Sequence, residues 1–228
     1  MMILAVLQAR MSSSRLPGKV MKPILGQPMI GRQLERLRRA ETLDRLLVAT
    51  SLDASDDPLA DYCESLGVKV FRGSLTDVLG RFQGAALMCG GIQHVVRLTA
   101  DCPLAEPGVI DACVRLHLAT GADYTSNTIE RSYPDGLDVE IMRAEALADA
   151  AREADDPYER EHVTPFLYRR PERYRIAQLR QTRNLSDLRW TVDTAEDFAF
   201  VESVYAALGE GAFGQEAVAA LPFERRAA

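Results

Sequence analysis

Met2 to Leu7 reads MILAVL, an unbroken apolar run, and Gln8 to Lys19 reads QARMSSSRLPGK, a polar and basic loop. A short run that is apolar at every position is what a strand buried on both faces requires. Working outward, Arg45 to Thr50 (RLLVAT), Val68 to Phe71, His94 to Thr99 and Ala122 to Ser126 predict four more strands. Helical stretches separate them. One starts at Pro28, with Ile30, Leu34 and Leu37 at helical spacing. Others run from Asp56-Asp57-Pro58 to about Gly67, from Leu75 to Met88 before Gly90-Gly91, and from Pro107 to Leu118. Strands alternating with helices at this spacing predict right-handed crossovers and an α/β fold with a mostly parallel sheet. Ligands of such sheets bind beyond the carboxyl ends of the strands, so the loops beginning at Gln8, Thr50, Arg72 and Thr99 face one crevice.

The rhythm changes after about Asn127. Pro134-Asp135-Gly136 is a turn signal, and Leu137, Val139 and Ile141 alternate with Asp138, Glu140 and Met142, as in a strand with one buried face. A helix follows from Ala144, and another opens at Asp156-Pro157, with Glu159 at capping-box spacing from Asp156 and Pro165 ending or kinking it. Tyr174 to Leu179 is extended. Thr194 and Asp197, after Trp190-Thr191-Val192, mark the start of the last main helix, and the Ala-rich tail from Phe213 is expected to be peripheral.

The chain has 228 residues, 47% of them hydrophobic and 26% charged, enough for one packed domain with a sizeable core. The longest stretch free of Asp, Glu, Lys and Arg, Phe82 to Val96, is too short to cross a membrane. Met1 to Ala9 has no basic residue ahead of its apolar run, which argues against a secretory signal. Cys63, Cys89, Cys102 and Cys113 show no C-x-x-C spacing, so a zinc knuckle is not indicated and a reducing cytoplasm is expected. A net charge of -6 disfavours a nucleic-acid binder. Residues 1–48 nevertheless carry +6, leaving -12 for the rest, the pattern of an anion site in an acidic protein. Arg32, Arg36 and Arg39 are expected to line a solvated helix face. Arg10, Arg15 and Lys19 precede that helix and need another reason.

Two guanidinium groups, an ammonium and a run of serines in one loop suit phosphate, and Gly18 lets backbone amides approach an anion. The loop is neither a Walker A sequence nor a G-x-G-x-x-G fingerprint. Asp101 and Asp193 are single carboxylates beyond strand ends. They fit a magnesium ion held by one or two carboxylates plus phosphate oxygens, or they cap the helices that follow. Asp138 and Glu140 share one strand face, and Glu159 and His162 one helix face. H-E-x-x-H is absent, and Cys102 reads as packing.

Gln8 to Lys19, ending R-L-P-G-K, resembles the start of the cytidylyltransferases that make CMP-sugars. Thr99-Ala100-Asp101-Cys102-Pro103-Leu104, Asp135 to Glu140, Glu159-Arg160-Glu161-His162 and Trp190 to Thr194 extend the resemblance from Met2 to about Tyr205. It is nearest to spore-coat polysaccharide cytidylyltransferase-like proteins. The 3-deoxy-manno-octulosonate and acylneuraminate enzymes are more distant. The resemblance implies a Rossmann-like three-layer sandwich of the nucleotide-diphospho-sugar transferase type and a CMP transfer from CTP with release of pyrophosphate. It further implies one domain, with a nucleotide-binding core at 1–126, an acceptor and dimerisation region at 127–190, and a metal aspartate and C-terminal helices at 190–228. By the same resemblance Arg15, Lys19, Asp101 and Asp193 are catalytic, and the two aspartates hold Mg2+. Gln8, Ala9, Arg10, Ser14, Ser51, Asp53, Gly73, Ser74, Asp77 and Arg81 fall to the nucleotide. Asp138, Glu140, Glu159 and His162 fall to a small-molecule acceptor, in a cytoplasmic homodimer. Rival readings are a UTP- or GTP-using nucleotidyltransferase acting on a sugar phosphate, a glycosyltransferase of similar fold, and a non-catalytic nucleotide-binding regulator.

Overall fold

The computed structural model describes residues 1–210 and 212–222. In chain order the strands are β1 (Ile3–Gln8), β2 (Pro23–Ile24), β3 (Gln27–Pro28), β4 (Arg45–Ser51), β5 (Lys69–Gly73), β6 (His94–Thr99), β7 (Tyr124–Ser126), β8 (Glu140–Arg143) and β9 (Ile176–Gln178). The helices are α1 (Met29–Leu37), α2 (Asp57–Ser65), α3 (Val78–Cys89), α4 (Pro107–Thr120), α5 (Ala144–Glu153), α6 (Pro157–His162), α7 (Pro165–Tyr168), α8 (Ala195–Leu208) and α9 (Gln215–Ala219). Seven strands form one sheet in the order β5-β4-β1-β6-β8-β7-β9, and β2 and β3 form a small separate hairpin. Only β8 runs against its neighbours β6 and β7 in the large sheet; the other pairings are parallel.

The apolar run of β1 explains the layers. Ile3, Ala5 and Leu7 face one core with α1, α2, α4 and α8, while Leu4 and Val6 face a second core with α3, α5 and α7. A strand in mid-sheet under helices on both sides has no solvated face, which accounts for the apolar run from Ile3 to Leu7. The fold is thus α/β and mostly parallel, as the alternation of elements predicts.

Three local expectations change. The strand expected over 137–142 is ordered only from Glu140, because Gly136 to Val139 is occupied in holding two other segments. Arg32 and Arg36 are buried rather than solvated. Arg32 donates to the carbonyls of Ile24 and Leu25 and to Glu210, and Arg36 donates to the carbonyls of Ala105 and Phe213. Their long stems cross the apolar stripe of α1, and the guanidinium groups donate to loop carbonyls. The segment from Phe213 is packed, not peripheral. The Phe213 ring lies 4.2 Å from the Arg36 guanidinium and Val218 belongs to the core. The end of the tail, 223–228, lies outside the described residues.

At the amino end of β6, away from the crevice, His94 Nδ1 and His117 Nε2 lie 3.0 Å apart and His117 Nδ1 meets Thr125 Oγ1 at 2.9 Å. Burial, then the neighbouring His94 and Arg143, push His117 down to about 4. The folded chain therefore prefers the neutral ring. Stability is full above the unfolded value of about 6.5 and falls as pH drops towards 4, by on the order of 3 kcal/mol from His117. Urea unfolding at a series of pH values should show this loss, and His117→Gln should flatten it.

Candidate active site

The carboxyl ends of β1 and β6 open onto a cavity of about 350 Å3. It is lined by Gln8, Ala9, Arg10, Ser13, Ser14, Arg15, Lys19 and Val20 from the first loop, Arg97, Thr99, Ala100 and Asp101 from β6 and its loop, Glu161 and His162 from α6, and Asp193. The first loop is pinned at both ends. The amides of Ser13 and Gly18 both donate to the carbonyl of Met11, and Gly18 takes a left-handed φ of 71° that starts the single turn at Lys19. The amide of Met11 in turn donates to Asp56 Oδ1 at 2.6 Å, while Asp56 Oδ2 accepts from Ser51 N and Oγ. Asp56 is wholly buried. Burial opposes its ionisation, but these donors outweigh it and hold the carboxyl below the usual range. Asp56 thus ties the basic loop to β4, a role that local sequence conceals because the residue also reads as an ordinary helix start.

Lys19 gathers the two aspartates. Its ammonium donates to the Val192 carbonyl at 2.6 Å and lies 3.1 Å from Asp193 and 3.6 Å from Asp101. Asp193 also meets Arg15 at 2.9 Å and Arg189 at 2.6 Å. Burial disfavours its charge, yet Lys19, Arg189 and Arg15 together hold it below the ordinary carboxylate range. Residues 190–193 form no strand. They are fixed by the amide of Val192 donating to the Asp101 carbonyl at 2.8 Å and by the turn at Gly136. A Cβ on Gly136 would stand 2.8 Å from the backbone of Trp190 and Thr191, so only glycine allows this approach. Asp135 then reaches Arg189 and Thr191. Thr194 and Asp197 form the expected capping box of α8.

A smaller cavity of about 190 Å3 adjoins the first and shares Arg97 and His162 with it. Its remaining lining is Thr128, Arg131, Asp138, Glu140, Tyr158, Thr164, Pro165 and Tyr168. Asp138 is held bidentately by Arg131 at 2.8 and 2.9 Å. Glu140 is buried, and its carboxylate accepts from Tyr124 Oη at 2.5 Å, Thr164 Oγ1 at 2.6 Å and Arg97. Its oxygens are taken up by the chain itself, so it forms the floor of this cavity rather than a free acceptor contact. His162 is exposed, against the ring of Tyr158.

A third cavity, lined by Arg10, Leu75, Thr76, Asp77, Asp155, Pro157, Arg160 and Glu161, continues from the first through Arg10 and Glu161. Asp77 caps α3 and is gripped by Arg160 at 2.7 and 2.9 Å. Ser51, Asp53, Gly73, Ser74 and Arg81 line none of these three cavities. Ser51 serves Asp56, Asp53 caps its own turn at Ser55, and Ser74 accepts from the amide of Asp77. Gly73 makes room for Arg81, whose Cγ would lie 2.8 Å from a Cβ there. Arg81 is fully buried, with no hydrogen-bond partner for its three guanidinium nitrogens. Glu159 departs from the expected acceptor contact. It is buried against Arg170 at 2.7 Å and does not share a functional face with His162, because the short helix ends at His162 and turns that residue outward. The capping-box reading of Glu159 fails for the same reason: Asp156 caps Tyr158 N, while Glu159 is engaged elsewhere.

Sequence reasoning missed Asp56, Arg97, Arg131, Glu161 and Arg189. Arg97 had a signal, a charge in the middle of the apolar run HVVRLT. The others carry none at their own positions, since their partners are distant in sequence.

A mostly parallel sheet whose first loop brings basic side chains to two carboxylates over one crevice is suited to holding the phosphates of a nucleotide. A cytidylyltransferase family profile matches residues 4–210. The chain belongs to the cytidylyltransferase family. It is 34% identical over 216 residues to the spore coat polysaccharide biosynthesis protein SpsF of Bacillus subtilis, covering 91% of this chain and 88% of that one. Among solved structures it is similar to a cytidylyltransferase from Leptospira borgpetersenii, with a TM-score of 0.91, 32% identity and coverage of 96% and 92%. It shares the fold of CMP:2-keto-3-deoxy-manno-octonic acid synthetase complexed with CTP, at a TM-score of 0.71, 17% identity and coverage of 91% and 100%.

Proposed function

We propose that the chain transfers CMP from CTP to a sugar-acid or related acceptor, with magnesium, and releases pyrophosphate. The setting would be surface polysaccharide or glycoconjugate synthesis by a cytoplasmic homodimer. The reading rests on one observation: Lys19 meets Asp101 and Asp193 in the cavity that Arg10 and Arg15 also line. Residues 1–126 would then bind the nucleotide, 127–190 the acceptor and the second copy, and 190–228 would supply the metal aspartate.

The donor set suits magnesium. Two carboxylates already assembled about one cation offer hard oxygens, and no group of three or more His, Cys, Asp or Glu among the described residues forms a full protein cage. An ion completed by phosphate oxygens matches that count. Asp101 and Asp193 would hold it, and when bound it would neutralise phosphate charge. Arg10, Arg15 and Lys19 would orient the triphosphate and offset the charge that builds on the departing pyrophosphate. Asp138 and His162 would face the acceptor across the smaller cavity. Asp77, which lines the third cavity with Arg10, would approach the nucleoside end.

The test is pyrophosphate release with CTP and magnesium over a panel of sugar acids, beside UTP and GTP. No release with CTP and any acceptor, but release with another nucleotide on a sugar phosphate, would replace this reading. Arg15→Ala should weaken CTP binding about tenfold, roughly 1.4 kcal/mol, and CMP binding less than about twofold. Calorimetry measures both. Lys19→Ala should follow the same order but also lower stability, because it strips the Val192 carbonyl and two carboxylates of a buried donor.

A further inference from the structure

We propose that Arg97 contacts the α-phosphoryl group undergoing transfer, and that Glu140 is the positioning residue that aims it. The inference rests on the CMP-transfer reading above. Arg97 lies in β6, a central strand, directly opposite Glu140 of β8 in the antiparallel register. Together with His162 it is common to the large cavity and the small one. If the large cavity holds the triphosphate and the small one the acceptor, the reacting phosphorus lies at their seam. Any group that touches it must be reachable from both sides. Arg97 meets that condition from a strand, which holds a side chain more firmly than a loop does.

The guanidinium is aimed but not saturated. One terminal nitrogen pairs with Glu140, the other reaches Gln8 Oε1 at 3.5 Å, and Nε is buried with no partner. Glu140 is itself held by Tyr124 and Thr164, so the guanidinium plane is set from behind. Stability does not explain the pair. Two apolar side chains in mid-sheet would serve the core as well or better, because desolvating both charges offsets their attraction. A bound anion explains it, since it would take the terminal nitrogen that reaches Gln8 only at 3.5 Å and make use of a charge that the fold keeps in place.

In the step itself an acceptor oxygen forms a bond to the α-phosphorus and the bond to the bridging oxygen breaks. Pyrophosphate leaves with the electron pair, and the acceptor proton passes to solvent. Arg97 would bind the non-bridging oxygens, whose charge the chain must hold throughout.

Calorimetry with magnesium and CTP, CMP or pyrophosphate tests the assignment without an identified acceptor. Two variants are compared with the native chain: Arg97→Lys, which keeps a charge opposite Glu140, and Arg97→Met combined with Glu140→Gln, which leaves no unpaired charge. Both should bind CMP and CTP at least about tenfold more weakly, roughly 1.4 kcal/mol, and pyrophosphate within about twofold. The preference between the two α-thio diastereomers of CTP should also change at least about tenfold, which a merely structural arginine would not produce. Unchanged CMP affinity in both variants overturns the assignment, as does an equal loss for all three ligands. A native chain that binds neither CTP nor CMP overturns the reading beneath it instead.

Discussion

Asp193→Asn is expected to reduce CMP transfer at least about a thousandfold, roughly 4 kcal/mol of transition-state stabilisation, with the fold retained. The carboxylate meets Lys19, Arg15 and Arg189 at once. An amide of the same shape keeps the volume but removes the charge that gathers those three cations and that would bind a divalent ion. Asp101→Asn should behave alike, to a lesser degree, because Asp101 meets Lys19 at the longer 3.6 Å and otherwise accepts from the Cys102 thiol. Pyrophosphate release at saturating magnesium measures the loss, and circular dichroism checks the fold. A near-native rate in either variant would take that residue out of the metal site.

Glu140→Ala should destabilise the chain by about 3–5 kcal/mol, the usual consequence of leaving a buried charge without its partner. Arg97 loses its counter-charge, and Tyr124 and Thr164 lose their acceptor. Chemical denaturation gives the number directly. Glu140→Gln, which retains an acceptor oxygen, should be much milder. The sequence alone suggests another outcome, an acceptor contact whose removal spares both the fold and CTP binding. If Glu140→Ala proves as stable as the native chain, the buried network assigned to it is wrong.

Position in the chain explains which readings were reachable. The run MILAVL states its burial residue by residue, because a strand covered on both sides disfavours polar side chains, and HVVRLT departs from that pattern at Arg97, which lines the two cavities. The capping box at Thr194 and Asp197 is equally local: three residues of separation fix which groups can meet. The basic loop is legible because phosphate needs several donors close together, and this loop carries Arg10, Arg15 and Lys19 within ten residues. Arg32 and Arg36 show the limit of such reasoning. Helical spacing places them on one face but does not say what covers it, and here the cover is the carbonyls of residues 24, 25, 105 and 213.

The sequence by itself therefore determined the α/β alternation, the parallel core, the loop that carries Arg10, Arg15 and Lys19, and Asp101 and Asp193 as candidates. Only the tertiary structure decided which of these groups meet. Lys19 and Asp193 lie 174 residues apart, and Asp77 and Arg160 lie 83 apart. It also decided that Glu159 belongs to Arg170, that Asp56 anchors the loop, and that Arg97 stands between two cavities. The reason is physical. Periodicity and capping are set by neighbours a turn or a pleat away, whereas the partner of a buried charge is whichever opposite group the packed layers bring within about 3 Å.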